Sequence, residues 1–118
     1  MVDQKSNAQV LNGVNDDILE MKSLTTLRKR VVTDGEVVSK SQNAFRLAGS
    51  KTGVILRNDG NDFHTLVTPE GQAQDGQWNT LRPLSFNLKN GRVALRNGVD
   101  IYGGALVSHN AGVLPTLY

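Results

Sequence analysis

The sequence predicts a mainly β chain with a short helical or coiled-coil segment in front of it, and a core that a single copy cannot complete. Three observations carry this expectation. Between residues 53 and 97, apolar side chains recur two apart and are punctuated by Asn-Asp-Gly and Asn-Gly, the residues that let a strand reverse. Between residues 11 and 31 the apolar spacing changes to three and four, the seam of a coiled coil. Over 118 residues the hydrophobic fraction is 38%, with one Trp, three Phe, twelve Gly and eleven Asn, so turns are plentiful and large side chains to bury are few. Several copies are therefore expected to complete one another's core.

Taken in order, the stretch up to residue 12 is polar and carries no sustained pattern. Leu11, Val14, Ile18 and Met21 then form the candidate seam, which shifts to Leu24, Leu27 and Val31 by an offset like a stammer. Asp16, Asp17 and Glu20 come early and Lys22, Arg28, Lys29 and Arg30 late, a charge order that suits a helix dipole. Two to three heptads are few for an isolated coil, and Gly13, Thr25 and Thr26 weaken it, so an extended, interwoven segment competes with the helix.

Val31-Val32 and Val37-Val38 about Asp34-Gly35 predict a first hairpin. Phe45 and Leu47 alternate with Arg46, and Ala48-Gly49-Ser50 ends that strand. Val54 and Leu56 lead into Asn58-Asp59-Gly60; beyond it Phe63, Thr65 and Val67 lie on one side, with His64, Leu66 and Thr68 on the other, until Pro69 ends the ladder. Leu84, Phe86 and Leu88 alternate with Ser85 and Asn87 up to Asn90-Gly91; Val93 and Leu95 follow, then Asn97-Gly98. Val99, Ile101, Ala105 and Val107 extend the alternation, with Gly103-Gly104 interrupting it as a bulge or a close crossing of backbones. VILRND from Val54 echoes VALRNG from Val93, which suggests stacked β-layers. The ending, without a turn or cap, reads as a fragment of a longer chain.

Several function classes fall away. A net charge of +2, with Arg28-Lys29-Arg30 as the one dense basic cluster and no aromatic beside it, predicts no nucleic-acid partner. No apolar run approaches the length of a membrane span, so no membrane insertion is expected. The absence of cysteine removes disulfides and thiolate metal sites. Asp59, Asp62 and His64 have the chemistry of metal ligands, but carboxylates at turns ordinarily bond their own backbone, so neither a metal nor another cofactor is expected. His109 stands apart from any acid. Glu70 and Asp75 lie in a Gln- and Gly-rich loop with no apolar surroundings to raise a pKa, and no residue has a catalytic context. The expectation is a protein that is not an enzyme.

Trp78, with Arg82 and Pro83, is the candidate site. Its ring either anchors packing, with the indole N–H meeting a carbonyl, or stacks on a sugar; packing is favoured. Arg57, Arg82, Arg92 and Arg96 are candidates to pair with Asp59, Asp62, Asp75 and Asp100 across chains, which would fix register more than stability.

The run GVILRNDGNDFHTLVT, continued by WNTLRPLSFNLKNGRVALRNG, resembles a segment of the tail fibres and side tail fibres of tailed bacteriophages and prophages. The positions that carry the resemblance are Arg57 to Gly60, the Gly-rich loop from Gly71 to Gly76, Trp78-Asn79, Leu81-Arg82-Pro83 and Asn90-Gly91, within roughly residues 45 to 107. The resemblance implies an elongated, intertwined homotrimeric fibre, residues 1–30 serving as a helical or extended trimerisation segment and 31–118 as the β-rich fibre domain. It implies a virion component of the phage tail with a structural and adhesive role in host attachment. Other fibre segments and a bacterial surface glycan or outer-membrane receptor would be its partners. The alternative is a carbohydrate-binding or depolymerising tailspike domain acting on surface polysaccharide. The His-x-His pairs that hold iron in the tips of some long fibres are absent here.

Overall fold

A computed structural model describes residues 20–108, so the seam positions Leu11, Val14 and Ile18 lie outside the described residues. The chain divides into two units after Val37. Among the described residues, all regular structure is β.

In the first unit, the expected helix is corrected. Residues 20–37 contain neither helix nor strand. Met21 is 60% exposed and Leu24 98%, so no apolar stripe rests on anything that would repay the cost of a first helical turn. The β-branched pair Thr25-Thr26 adds to that cost, and Thr25 Oγ1 instead donates to the Ser23 carbonyl. The hairpin expected about Asp34-Gly35 is also absent: Val31, Val32, Val37 and Val38 are exposed and outside any strand, and the chain only bends there. A two-stranded ribbon with no face to bury is marginal in water.

The second unit holds one antiparallel sheet in sequential order, β1 (Asn43–Ala48), β2 (Gly53–Asn58), β3 (Asp62–Val67), β4 (Leu84–Asn87) and β5 (Val93–Ala94). The turns form as their residues dictate. In the β2–β3 turn, Asp59 Oδ1 accepts from the backbone N–H of Asn61 and Asp62, and Gly60 takes φ +95°. In the β4–β5 turn, the Asn87 side chain accepts from the N–H of Lys89 and Asn90, and the Gly91 N–H closes on the Asn87 carbonyl at 2.8 Å. The alternation expected beyond Val93 stops at Ala94; Val99, Ile101 and Val107 are exposed and outside any strand.

Register sorts the side chains onto two faces. Leu47 pairs with Val54 and Val54 with Val67; Phe45 pairs with Leu56, Leu56 with Thr65 and Thr65 with Leu84; Phe63 pairs with Phe86 and Phe86 with Val93. These residues share one face, which carries no charged side chain from the paired strands. Arg46, Ile55, Arg57, His64, Leu66 and Ser85 share the other.

The alternation read from sequence holds in the strands, and the more deeply buried of the two faces is the polar one. Ile55 (0% exposed), Leu66 (1%), Thr68 (0%) and Ser85 (4%) are the buried residues of the strands and their ends, and all belong to the polar face. The cause is the connection from 68 to 83, which folds back over that face. Gly71 N–H donates to the Lys51 carbonyl at 2.8 Å, Arg46 Nη1 donates to the Ala73 carbonyl at 3.1 Å, and Ala73 is buried against β2. Thr68 extends the ladder: its Oγ1 accepts from Gly53 N–H at 2.8 Å and its own N–H donates to the Gly53 carbonyl at 2.9 Å.

Gly53 is where the loop touches the sheet. A Cβ there would stand 2.6 Å from the Ala73 carbonyl oxygen, a backbone atom with no freedom to swing away. Gly53→Ala should therefore loosen the loop and lower stability by about 1–3 kcal/mol, measured by denaturant unfolding, whereas Gly35→Ala, with no atom within 4 Å of its Cβ, should leave the unfolding midpoint unchanged.

Candidate functional site

The loop-covered face is held by a polar lattice. Arg57, on β2, spreads its guanidinium between two acceptors, Nη1 donating to Asn43 Oδ1 and Nη2 to Gln42 Oε1, each at 2.7 Å. So held, it lies over the Trp78 ring, with Cζ 4.8 Å from the ring centroid. Trp78 is half-buried. Asn79 N–H donates to the Val67 carbonyl at 2.8 Å, and Asn79 Oδ1 accepts from Leu81 N–H. Arg82 Nη1 donates to the carbonyls of Asn79 and Leu81, both at 2.8 Å, and Arg82 N–H donates to Asn97 Oδ1 at 2.7 Å. Pro83, half-buried, sets the chain for its entry into β4. The Trp-Asn-x-Leu-Arg-Pro run is thus the string that ties the returning loop to β2, β3 and the segment after β5.

Beside it lies the titratable cluster. His64 Nδ1 and Ser85 Oγ share a 2.6 Å hydrogen bond across β3 and β4, and His64 Nε2 stands 3.4 Å from Asp59 Oδ2. The backbone N–H groups of Asp62 and then Asn61 hold the Asp59 carboxyl below its ordinary value of 3.8; burial opposes them, and His64 adds the smallest lowering effects. Asp62 completes a set of three ligand atoms within 4.8 Å of one another, the residues here able to approach a cation. Each already has a protein partner: Asp59 has its turn, His64 has Ser85, and Asp62 Oδ1 accepts from Asn87 Nδ2 at 3.4 Å. Ser85 Oγ is bonded to the histidine while its residue is 4% exposed, so the trio fastens the β2–β3 turn to β4 and presents no accessible nucleophile.

Among the described residues of the second unit, no segment covers the opposite face. Phe63 and Phe86 stack with ring centroids 4.9 Å apart, and around them Phe45, Leu47, Val54 and Val93 are 36–67% exposed. Contiguous apolar area of this kind marks a surface that meets another molecule.

Of the residues singled out by sequence, the structure brings Trp78, Arg82 and Pro83 into one half-buried strip and leaves Met21 exposed in the first unit. Arg92 and Arg96 line a separate depression of about 340 Å³ together with Asp62, His64, Ser85 and Asn87. Two partnerships escaped sequence reading: Arg57 with Trp78, and His64 with Ser85. Both depend on the path of the 68–83 loop, which sets Trp78 against Arg57 and brings β4 into register on β3, and neither has a local signal.

A family model described as the long-tail fiber proximal subunit, C-terminal, trimerization domain matches residues 3–86. The chain is 37% identical over 86 residues, 64% of its length, to long tail fiber protein Gp37 of Enterobacteria phage T2. It is 33% identical over 91 residues, 77% of its length, to the long-tail fiber proximal subunit of Enterobacteria phage T4, and 36% identical over 92 residues, 76% of its length, to tail fiber protein S of Escherichia phage Mu. It spans 6%, 7% and 18% of those three relatives.

Two outcomes follow from this geometry. Trp78→Ala should release the loop and destabilise the sheet by about 2 kcal/mol from lost area and the guanidinium stack, read in denaturant midpoints. Because the Asp59 carboxyl is depressed in the folded state, its contribution is fully present above pH 3.8 and is lost as pH falls below it. Asp59→Asn should flatten the stability profile in that acid window in pH-dependent unfolding, and an unchanged acid slope would remove Asp59 from the account.

Proposed function

The chain belongs to the family of trimerization domains that the C-terminal part of the long-tail fiber proximal subunit defines and is a phage tail-fibre segment, part of the virion tail; from this we propose that it is a structural homotrimeric module. In this reading it joins fibre segments mechanically and contributes to attachment to the bacterial surface. The observation that carries it is the mismatch inside one copy: the described residues bury Ile55, Leu66 and Ala73 as their apolar core and leave an apolar sheet face uncovered. A fibre module is completed by its own copies, and the match to a trimerization domain supports that composition.

Within the module, residues 1–30 act as the lead-in segment that brings three chains together, and residues 31–118 as the fibre domain. Trp78, Arg82 and Pro83 act as packing anchors; the hydrogen-bonded Arg57 lying on the Trp78 ring supports this role over a sugar platform. The relatives are fibre proteins by name. A surface glycan or outer-membrane receptor is the partner of the complete fibre, and this segment transmits the load.

Light scattering should give three times the chain mass of 12.8 kDa, holding on dilution. Incubation with host envelope should release no reducing ends over time; their steady appearance would move the assignment to a depolymerising spike.

A further inference from the structure

We infer that the uncovered face of the sheet, with Leu56, Phe63 and Phe86 at its middle, is the surface that three copies turn toward a common axis, and that Thr65 sits at that axis. The inference rests on the trimeric reading above and adds to it the face, the orientation and the residue at the centre.

The choice of face follows from what each side can bury. The polar face carries Arg46, Arg57 and His64 and is already occupied by the chain's own loop, fixed to it by the Arg46 and Arg57 contacts. Burying the two guanidinium groups at an interface without partners would be unfavourable. The other face carries no charge from its paired strands, and Val54, 36% exposed, and Phe45, 46% exposed, remain in water in a single copy. An apolar patch of this extent beside so small a core among the described residues is explained by further copies of the same face.

The dimensions agree with three copies. β2 and β3 have six residues each, which makes them about 20 Å long. Three sheets of that width closing a triangle place the axis about 6 Å from each sheet, close to half the face-to-face spacing of packed sheets. Four would place each sheet about 10 Å from the axis and opposite sheets about 20 Å apart, twice the spacing that side chains fill.

The centre of such a triangle is crowded, because three identical side chains meet there. β3 is the middle strand of the five, and Thr65 lies between Phe63 and Val67 on its inward side, with Leu56 and Leu84 across from it. Thr65 is smaller than each of these neighbours. Its Oγ1 already donates to the Leu84 carbonyl at 3.1 Å, so the hydroxyl enters a dry interior with its donor satisfied. A small, pre-bonded residue at the middle of an otherwise apolar face is what a threefold axis requires.

The chain contains no cysteine, so single thiols report position cleanly. Val54→Cys, on the inferred interface, and Gln77→Cys, exposed on the outer loop, are alkylated in the assembled protein. The Val54→Cys thiol should react at least roughly ten-fold more slowly than the Gln77→Cys thiol, with the difference vanishing in denaturant. Equal rates in a protein of trimeric mass would overturn the choice of face while leaving the fibre-module reading intact; a single-chain mass at all concentrations would overturn both. Thr65→Val should assemble, and Thr65→Phe should shift the mass to that of one chain. Unaltered assembly of Thr65→Phe would remove Thr65 from the axis, and should that variant fail to fold, the alkylation ratio still decides the face.

Discussion

A sheet has two faces, and among the described residues of the second unit one connection, from 68 to 83, folds over either of them. That constraint governs everything else in the second unit. The connection from 68 to 83 lies on the face with arginines and histidine, where its carbonyls and N–H groups find partners in Arg46, Lys51 and Val67. Laid on the apolar face, the same Gln- and Gly-rich loop would have buried backbone polar groups against Leu, Val and Phe with nothing to satisfy them. Hydrogen bonding therefore decides which face the chain covers for itself, and hydrophobicity is left to decide what covers the other.

The consequence is a division of labour between the two faces. The covered face is knitted by specific contacts: the Arg57 fork on Gln42 and Asn43, the indole beneath it, the chain of bonds from Asp59 through His64 to Ser85. These fix one loop conformation in each copy. The bare face carries apolar area, with the Phe63–Phe86 stack at its middle. In the proposed trimer, copies internally pinned by polar bonds would be joined to one another by apolar burial, so cohesion between them would not compete for the groups that hold each one together.

The internal echo between VILRND and VALRNG illustrates how context separates similar sequences. In the first, Ile55 is buried under the loop and Arg57 is gripped by Gln42, Asn43 and Trp78. In the second, the strand ends at Ala94, Leu95 is 44% exposed, and the Arg96-Asn97 step is tied to the backbone of Arg82. Identical Arg-Asn steps end gripped by a side-chain fork and an indole in one place and bonded to the returning loop's last turn in the other.

Local chemistry in the sequence determined the strands from Asn43 to Ala94, their turns and the sorting of side chains onto two faces, because a period of two and Asn-Gly or Asp-Gly pairs act over a few residues. It overestimated the helix after Met21 and the hairpin at Asp34-Gly35, where local propensity was present but no surface existed to pack on. Only the tertiary structure decided which face is buried and which residue Trp78 meets. Both depend on where the 68–83 loop returns, and a loop's path is set by hydrogen bonds to strands far away in the chain, which no local pattern encodes.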